Sequence, residues 1–205
     1  MGREGLNMKV IGLTGGIGTG KSTVSEYLKK RGIYVIDADQ KSRNAAPKGS
    51  QTLKALVKTY GEAILLEDGN LDRKALAGIV FNDRQKLARL EEIVTAKVVG
   101  EIFDEVRVLR ESGQYDIIVV DAPLLIETGL DKCVDEVWLV TAGLEERIAR
   151  VVARDGASRQ EVLRRIDNQM STDEKKKKSH EIIDNSYGKD ELLARVDELL
   201  NKYGK

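Results

Sequence analysis

The segment Gly15-Gly16-Ile17-Gly18-Thr19-Gly20-Lys21-Ser22 constrains this chain more tightly than any other part of it. It satisfies the spacing G-x-x-x-x-G-K-[ST], in which a glycine-rich turn, a lysine and a hydroxyl cradle a polyphosphate. The flanks agree. Lys9 to Leu13 reads as a short apolar strand, and Thr23 to Lys30 reads as the start of a helix. Strand, turn and helix N-terminus together make an anion site, because unpaired backbone N–H groups and the helix dipole converge on it. The glycines let the backbone approach phosphate oxygens closely. Lys21 supplies a compact positive charge for β- and γ-phosphates, and the Ser22 hydroxyl suits a Mg²⁺ ion. Gly16, Gly18, Thr19, Gly20, Lys21, Ser22 and Thr23 are therefore candidate nucleotide-binding residues. The motif alone leaves the reaction open.

Three further apolar runs end in polar residues. Tyr34-Val35-Ile36 leads into Asp37-Ala38-Asp39, Ile117 to Val120 into Asp121, and Val137 to Val140 into Thr141. Ile182-Ile183, before Asp184-Asn185, is a candidate last strand. Short apolar strands separated by helical patterns predict an α/β fold, a parallel sheet with helices on both faces. Ligands of such sheets bind beyond the carboxyl ends of the strands, where Asp37, Asp39, Asp121 and Thr141 fall. Asp121, directly or through water, joins Ser22 as a candidate Mg²⁺ ligand. Asp39 has two readings, a proton acceptor for a substrate hydroxyl or a helix N-cap or turn residue. Asp37 reads as structural.

Between the second and third strands, residues 41–115 carry few strand signals. Leu53, Leu56 and Val57 have helical spacing with a stop at Tyr60-Gly61, and Leu87, Leu90, Val94, Val98 and Ile102 form one apolar stripe. An insertion of this length is a natural place to hold a second substrate. A charged region, Glu145 to Lys178, reads mainly as solvated helices laced with i,i+4 ion pairs. Within it, Arg150 and Arg154 share one helix face and together suit a phosphate when a mobile segment closes. The run Lys175 to Lys178 reads as solvent-exposed.

Composition narrows the classes. Lys plus Arg and Asp plus Glu both number 34, so no global field favours nucleic acid or an anionic membrane. No apolar run approaches the roughly 20 residues that cross a bilayer. Residues 1–7 lack a secretion core, hold Leu6 where myristoylation needs Ser or Thr, and read as a flexible lead-in. One cysteine, Cys133, and one histidine, His180, argue against a disulfide, a Cys–His nucleophile and a Zn²⁺ site, and suit a reducing cytoplasm. Neither Asn-Lys-x-Asp nor an Asp-x-x-Gly after the third strand occurs, which argues against a GTPase. A nucleotide-gated switch without transferase activity, and a nucleoside monophosphate kinase of the same fold, remain as alternatives.

The residues resemble one family, the dephospho-CoA kinases, over nearly the whole chain from Met8. The resemblance rests on Gly12 to Thr23, Val35 to Asp39, Asp68-Gly69-Asn70-Leu71-Asp72-Arg73, Val80-Phe81 and Asp121-Ala122-Pro123-Leu124-Leu125-Ile126-Glu127. Arg150, Arg154-Asp155, Arg165, Gln169 and Ile183-Asp184-Asn185 extend it. It implies a P-loop NTPase fold with a helical substrate-binding insertion and a helical lid. The core would be residues 8–41, 116–143 and 179–205, the acceptor (CoA) domain 42–115, and the lid 144–178.

The activity implied is transfer of the ATP γ-phosphate to the ribose 3′-hydroxyl of dephospho-CoA, with ATP and Mg²⁺, in the cytoplasm. Lys21, Asp39 and Arg150 would be catalytic, and Asn185 would join the nucleotide site. Thr14, Asp39, Leu71, Asp72, Arg73, Pro123, Leu124 and Glu127 would bind the acceptor. Neither nucleic acid nor a membrane would be a partner. The chain departs from the family's usual residues at Thr95-Ala96, Arg147, Ser179-His180 and Tyr187.

Overall fold

In the computed structural model, which describes residues 8–81 and 83–204, every expected apolar run forms a strand. The proposed lead-in, residues 1–7, lies outside the described residues. β1 (Lys9–Gly15), β2 (Tyr34–Asp37), β3 (Ile117–Asp121), β4 (Glu136–Thr141) and β5 (Glu181–Asp184) form one sheet in the order β2-β3-β1-β4-β5. All neighbours are parallel. β3 is buried from end to end, as its unbroken apolar sequence requires of a strand covered on both faces. Register aligns the strand ends: Asp121 lies opposite both Leu13 and Asp37, and Thr141 opposite Asp184. β1 is central, and the turn leaving it opens where the connections diverge to either side, the crevice that binds ligands in open α/β sheets.

α1 (Lys21–Lys30) and α9 (Lys189–Asn201) cover one face. Val24 and Leu28 of α1 and Leu192, Val196, Leu199 and Leu200 of α9 pack with Ile11, Leu13, Val119, Trp138 and Val140. On the opposite face the loop after β3 presses on β1, since a Cβ on Gly12 would lie 2.6 Å from Leu125. A methyl group there has no room.

The chain divides into two compact units, one comprising Met1–Asp37 and Glu105–Lys205, the other Ala38–Asp104. The second is helical. It contains α2 (Ala38–Arg43), α3 (Gln51–Tyr60) and α4 (Arg73–Val80), and the unit boundary falls within α5 (Arg84–Ser112). Ser50 caps α3 by accepting from the Leu53 amide at 3.1 Å. Leu53, Leu56, Ile64, Leu76 and Val80 form its core, with Leu90 and Ile93 of α5 packed against them.

In the sheet-bearing unit, α6 (Leu144–Asp155), α7 (Arg159–Asp167) and α8 (Thr172–Lys177) follow β4. Capping boxes at Ser158/Glu161 and Ser171/Glu174 start α7 and α8. Ile148 and Val151 of α6 meet Val162 of α7, with Ile17 of the glycine-rich turn against them.

Two expectations for this region fail. Arg154 does not share a site with Arg150; its guanidinium is held by Asp155 at 2.7 and 3.0 Å, and Asp155 also accepts from Arg165. The lysine run is not uniformly solvated. Lys176, Lys177 and Lys178 are exposed, but Lys175 is 1% exposed. Successive helical residues point about 100° apart, so a run of four samples every side of its helix, including the buried one. No described helix is long and apolar enough to cross a membrane.

Candidate active site

The turn after β1 is closed by its own backbone and Thr19, whose hydroxyl donates to the Gly16 carbonyl at 2.9 Å. Gly18 and Gly20 have φ of 78° and 91°, in the left-handed region that favours glycine. Both are also crowded. A Cβ on Gly18 would lie 2.5 Å from the Arg147 carbonyl oxygen, and one on Gly20 would collide with the Asn185 side-chain amide. Gly20 is the N-cap of α1 and no side chain caps the helix, which leaves its first amides for an anion.

Lys21, at the first position of α1, reaches across to the Asp121 carboxylate at the end of β3 and forms an ion pair with it. The Asp121 side chain is buried, at 7% exposure, and that of Lys21 is partly so, at 15%. Ser22 and Thr23 stand in the first turn of α1, Ser22 exposed. Arg150 projects from α6 to the same place. It donates to the Gly18 carbonyl at 3.4 Å and to the Asn185 carbonyl at 2.8 Å. Asn185, just past β5, is buried and donates its side-chain amide to the Thr19 carbonyl at 2.8 Å. The structure thus gathers Gly16 to Thr23, Asp121, Arg150 and Asn185 around one turn.

Thr14 is fully buried and donates to the Pro123 carbonyl at 3.2 Å. Pro123 also accepts from Lys175 at 2.8 Å, and Lys175 pairs with Glu127 at 2.9 Å. Glu127 accepts the Met170 amide at 3.3 Å as well. Thr14, Pro123, Glu127 and Lys175 therefore form one polar knot that fastens α8 to the loop after β3. Leu124, between them, is exposed.

The remaining expected site residues belong to the Ala38–Asp104 unit. Asp39 lies within the first turn of α2, exposed, so the N-cap position ahead of Ala38 falls to Asp37. A carboxylate in a first turn also suits the helix dipole. Asp72 is the N-cap of α4, its carboxylate accepting the Lys74 and Ala75 amides at 2.9 Å. Leu71 bridges to Leu65 across a turn made by Asp68 and Asn70, and Arg73 donates to the Arg43 carbonyl.

Three side chains here had no assigned role in the sequence reading: Lys175, Arg147 and Gln169. Arg147 is 7% exposed and donates its Nε to the Ile17 carbonyl at 2.9 Å, while Gln169 accepts the Ile17 amide at 3.0 Å. Burial holds the Arg147 pKa below the ordinary arginine value. Such long-range contacts have no local signature; the only hints were Gln169 within the family resemblance and Arg147 as a departure from it. Burial pushes the Cys133 thiol up to about 11, which removes a thiolate nucleophile from consideration. Among the described residues no group of three or more His, Cys, Asp or Glu gathers as a metal site.

Comparison with known proteins agrees with this geometry. The family model for dephospho-CoA kinase matches residues 9–191. The chain is 44% identical to a dephospho-CoA kinase of Geobacter sulfurreducens over 195 residues, 95% of this chain and 98% of that protein. It is 41% identical to one of Carboxydothermus hydrogenoformans over 198 residues, 97% and 96% of the two chains. A solved structure from Thermus thermophilus is similar with a TM-score of 0.76 and 35% identity, covering 96% of this chain and 98% of that one.

Proposed function

The chain belongs to the dephospho-CoA kinase family, and from that premise we propose that it transfers the γ-phosphoryl group of ATP to the ribose 3′-hydroxyl of dephospho-CoA, giving coenzyme A and ADP. The observation that carries this reading is a family match spanning residues 9–191, which takes in both the phosphate-binding turn and the helical unit.

Phosphoryl transfer asks a protein for positioning, charge and exclusion of water rather than covalent chemistry. The amides of the turn and the first turn of α1 hold the donor phosphates, and Lys21 contributes its charge to the β- and γ-groups. Arg150, tethered to two carbonyls of the site, stands ready to exchange them for phosphate oxygens, which bind a guanidinium more strongly. Asp39 orients the acceptor hydroxyl and takes its proton. Residues 42–115 hold dephospho-CoA, with Leu71, Asp72, Arg73, Pro123, Leu124, Glu127 and Thr14 toward it, and 144–178 act as the lid.

Ser22 and Asp121 fit Mg²⁺. One hydroxyl and one carboxylate, without an all-protein cage, match an ion that takes its other ligands from water and phosphate oxygens. When bound, the ion neutralises charge on the β- and γ-phosphates. Asp121 now holds Lys21, so a direct metal bond would share that carboxylate. The site of action proposed is the cytoplasm, with neither nucleic acid nor a membrane as partner.

The reading is tested by product identity. Incubation with Mg-ATP and dephospho-CoA should yield a species one phosphate heavier, with a ³¹P resonance of a ribose 3′-phosphomonoester. Phosphorylation of AMP in preference to dephospho-CoA would move the chain to the nucleoside monophosphate kinases.

A further inference from the structure

Three consecutive polar contacts join the segment 144–178 to the backbone of the phosphate-binding turn. The Ile17 amide donates to Gln169 at 3.0 Å, the Ile17 carbonyl accepts from Arg147 Nε at 2.9 Å, and the Gly18 carbonyl accepts from Arg150 at 3.4 Å. Arg150 already has a place in the proposed reaction. Arg147 and Gln169 do not, yet they grip both peptide groups of one residue in the middle of the turn.

The remainder of the Arg147 environment sharpens the point. Its side chain is 7% exposed, and among the described residues no carboxylate pairs with it. A buried guanidinium without a counter-charge is costly, and its lowered pKa has desolvation as its only cause. Such a group persists only where something else in the structure needs it. Its amino end stands beside Gly16, since a Cβ there would lie 2.8 Å from Arg147 and 3.3 Å from the Gln169 oxygen. The two side chains therefore converge behind the turn. Arg147, with Gly16, Thr19, Val140 and Met170, lines a cavity of about 30 Å³.

We propose that Arg147 and Gln169 are positioning residues for the nucleotide: by fixing the orientation of both peptide planes at Ile17, they keep the turn in the shape that aims its following amides at the phosphates. Arg147 acts here through its N–H donor to the Ile17 carbonyl. Gln169 acts through its carbonyl oxygen. Neither touches the reacting atoms. The consequence is specific: loss of either contact loosens binding of ATP, while dephospho-CoA binding and the fold's melting temperature change little. This inference rests on the reading that the turn binds ATP.

The test is equilibrium titration of Mg-ATP and, separately, of dephospho-CoA, on wild type and on Arg147→Met, Arg147→Gln, Gln169→Leu and Gln169→Glu, with circular dichroism to check folding. Arg147→Met and Gln169→Leu should each weaken ATP binding about tenfold, the scale of one lost hydrogen bond to a polar or charged partner. Arg147→Gln keeps an N–H donor without the charge, and Gln169→Glu keeps the acceptor oxygen. Both should stay within about threefold of wild type. Equal weakening by Arg147→Gln and Arg147→Met would overturn the donor role, and unchanged affinity in Arg147→Met and Gln169→Leu would overturn the proposal. Absence of ATP binding by wild type would instead overturn the nucleotide reading on which it stands.

Discussion

The proposed reaction uses Lys21 and Asp39 in different ways, and their variants should fail differently. Lys21 is the counter-ion of buried Asp121 and, in the proposed reaction, also the charge for the donor phosphates. Lys21→Ala should therefore lower kcat/KM by about 10³-fold and also destabilise the fold, because it strands the Asp121 carboxylate. A near-normal kcat/KM in steady-state assays would refute its assigned role. Asp39 is exposed in the first turn of α2. Asp39→Asn keeps the shape and removes the proton acceptor. It should lower kcat by about 10²-fold while the melting temperature holds, and an unchanged kcat would make Asp39 a residue of helix electrostatics alone. The glycine-rich turn was legible at this scale because its chemistry is local: eight adjacent residues state the phosphate-binding motif. Asp121 was legible in position but not in pairing. Its strand end could be read, while the ion pair with Lys21 joins residues far apart in the chain.

At the scale of elements, strands and helices behave differently as text. The strands of a covered parallel sheet are short apolar runs, so β1 to β5 were visible from sequence, and β2 to β5 each end at the polar residue expected. The helical faces were harder. Arg150 and Arg154 share a face by spacing, yet Asp155 and Arg165 draw Arg154 into a surface network instead. Lys175 looked like one of four solvated lysines, but α8 turns it onto Glu127 and the Pro123 carbonyl. That pair, with Lys175 buried and Glu127 exposed, fastens α8 to the loop after β3. Lys175→Met should cost about 1–2 kcal/mol in urea denaturation, since it removes the donor to the Pro123 carbonyl and the cation beside Glu127. Replacing both partners, Lys175→Met with Glu127→Leu, should recover much of that loss. Additive losses, with no coupling between the two positions, would show that the pair contributes nothing beyond its separate contacts.

At the scale of the whole molecule, the sequence displayed an α/β sheet with a helical insertion, and the structure has a sheet-bearing unit and a helical unit of Ala38–Asp104. What the sequence hid were the contacts that make the site one object. Ile17 with Arg147 and Gln169, Thr19 with Asn185, and Thr14 with Pro123 join segments distant in the chain, with no periodicity to betray them. A lone residue type at a lone position carries no information about a partner a hundred residues away. The family resemblance implies that Arg150 and Asn185 serve the nucleotide site, and the structure shows the two bonded to each other and to the turn. The central claim is that ATP turnover belongs to one acceptor. A coupled assay of ADP release with Mg-ATP, with and without dephospho-CoA and beside an AMP control, tests it most directly. The account predicts ADP release that requires dephospho-CoA and matches the coenzyme A formed one for one. Release that is equal with AMP, or that proceeds slowly without any acceptor and is not increased by dephospho-CoA, would contradict it.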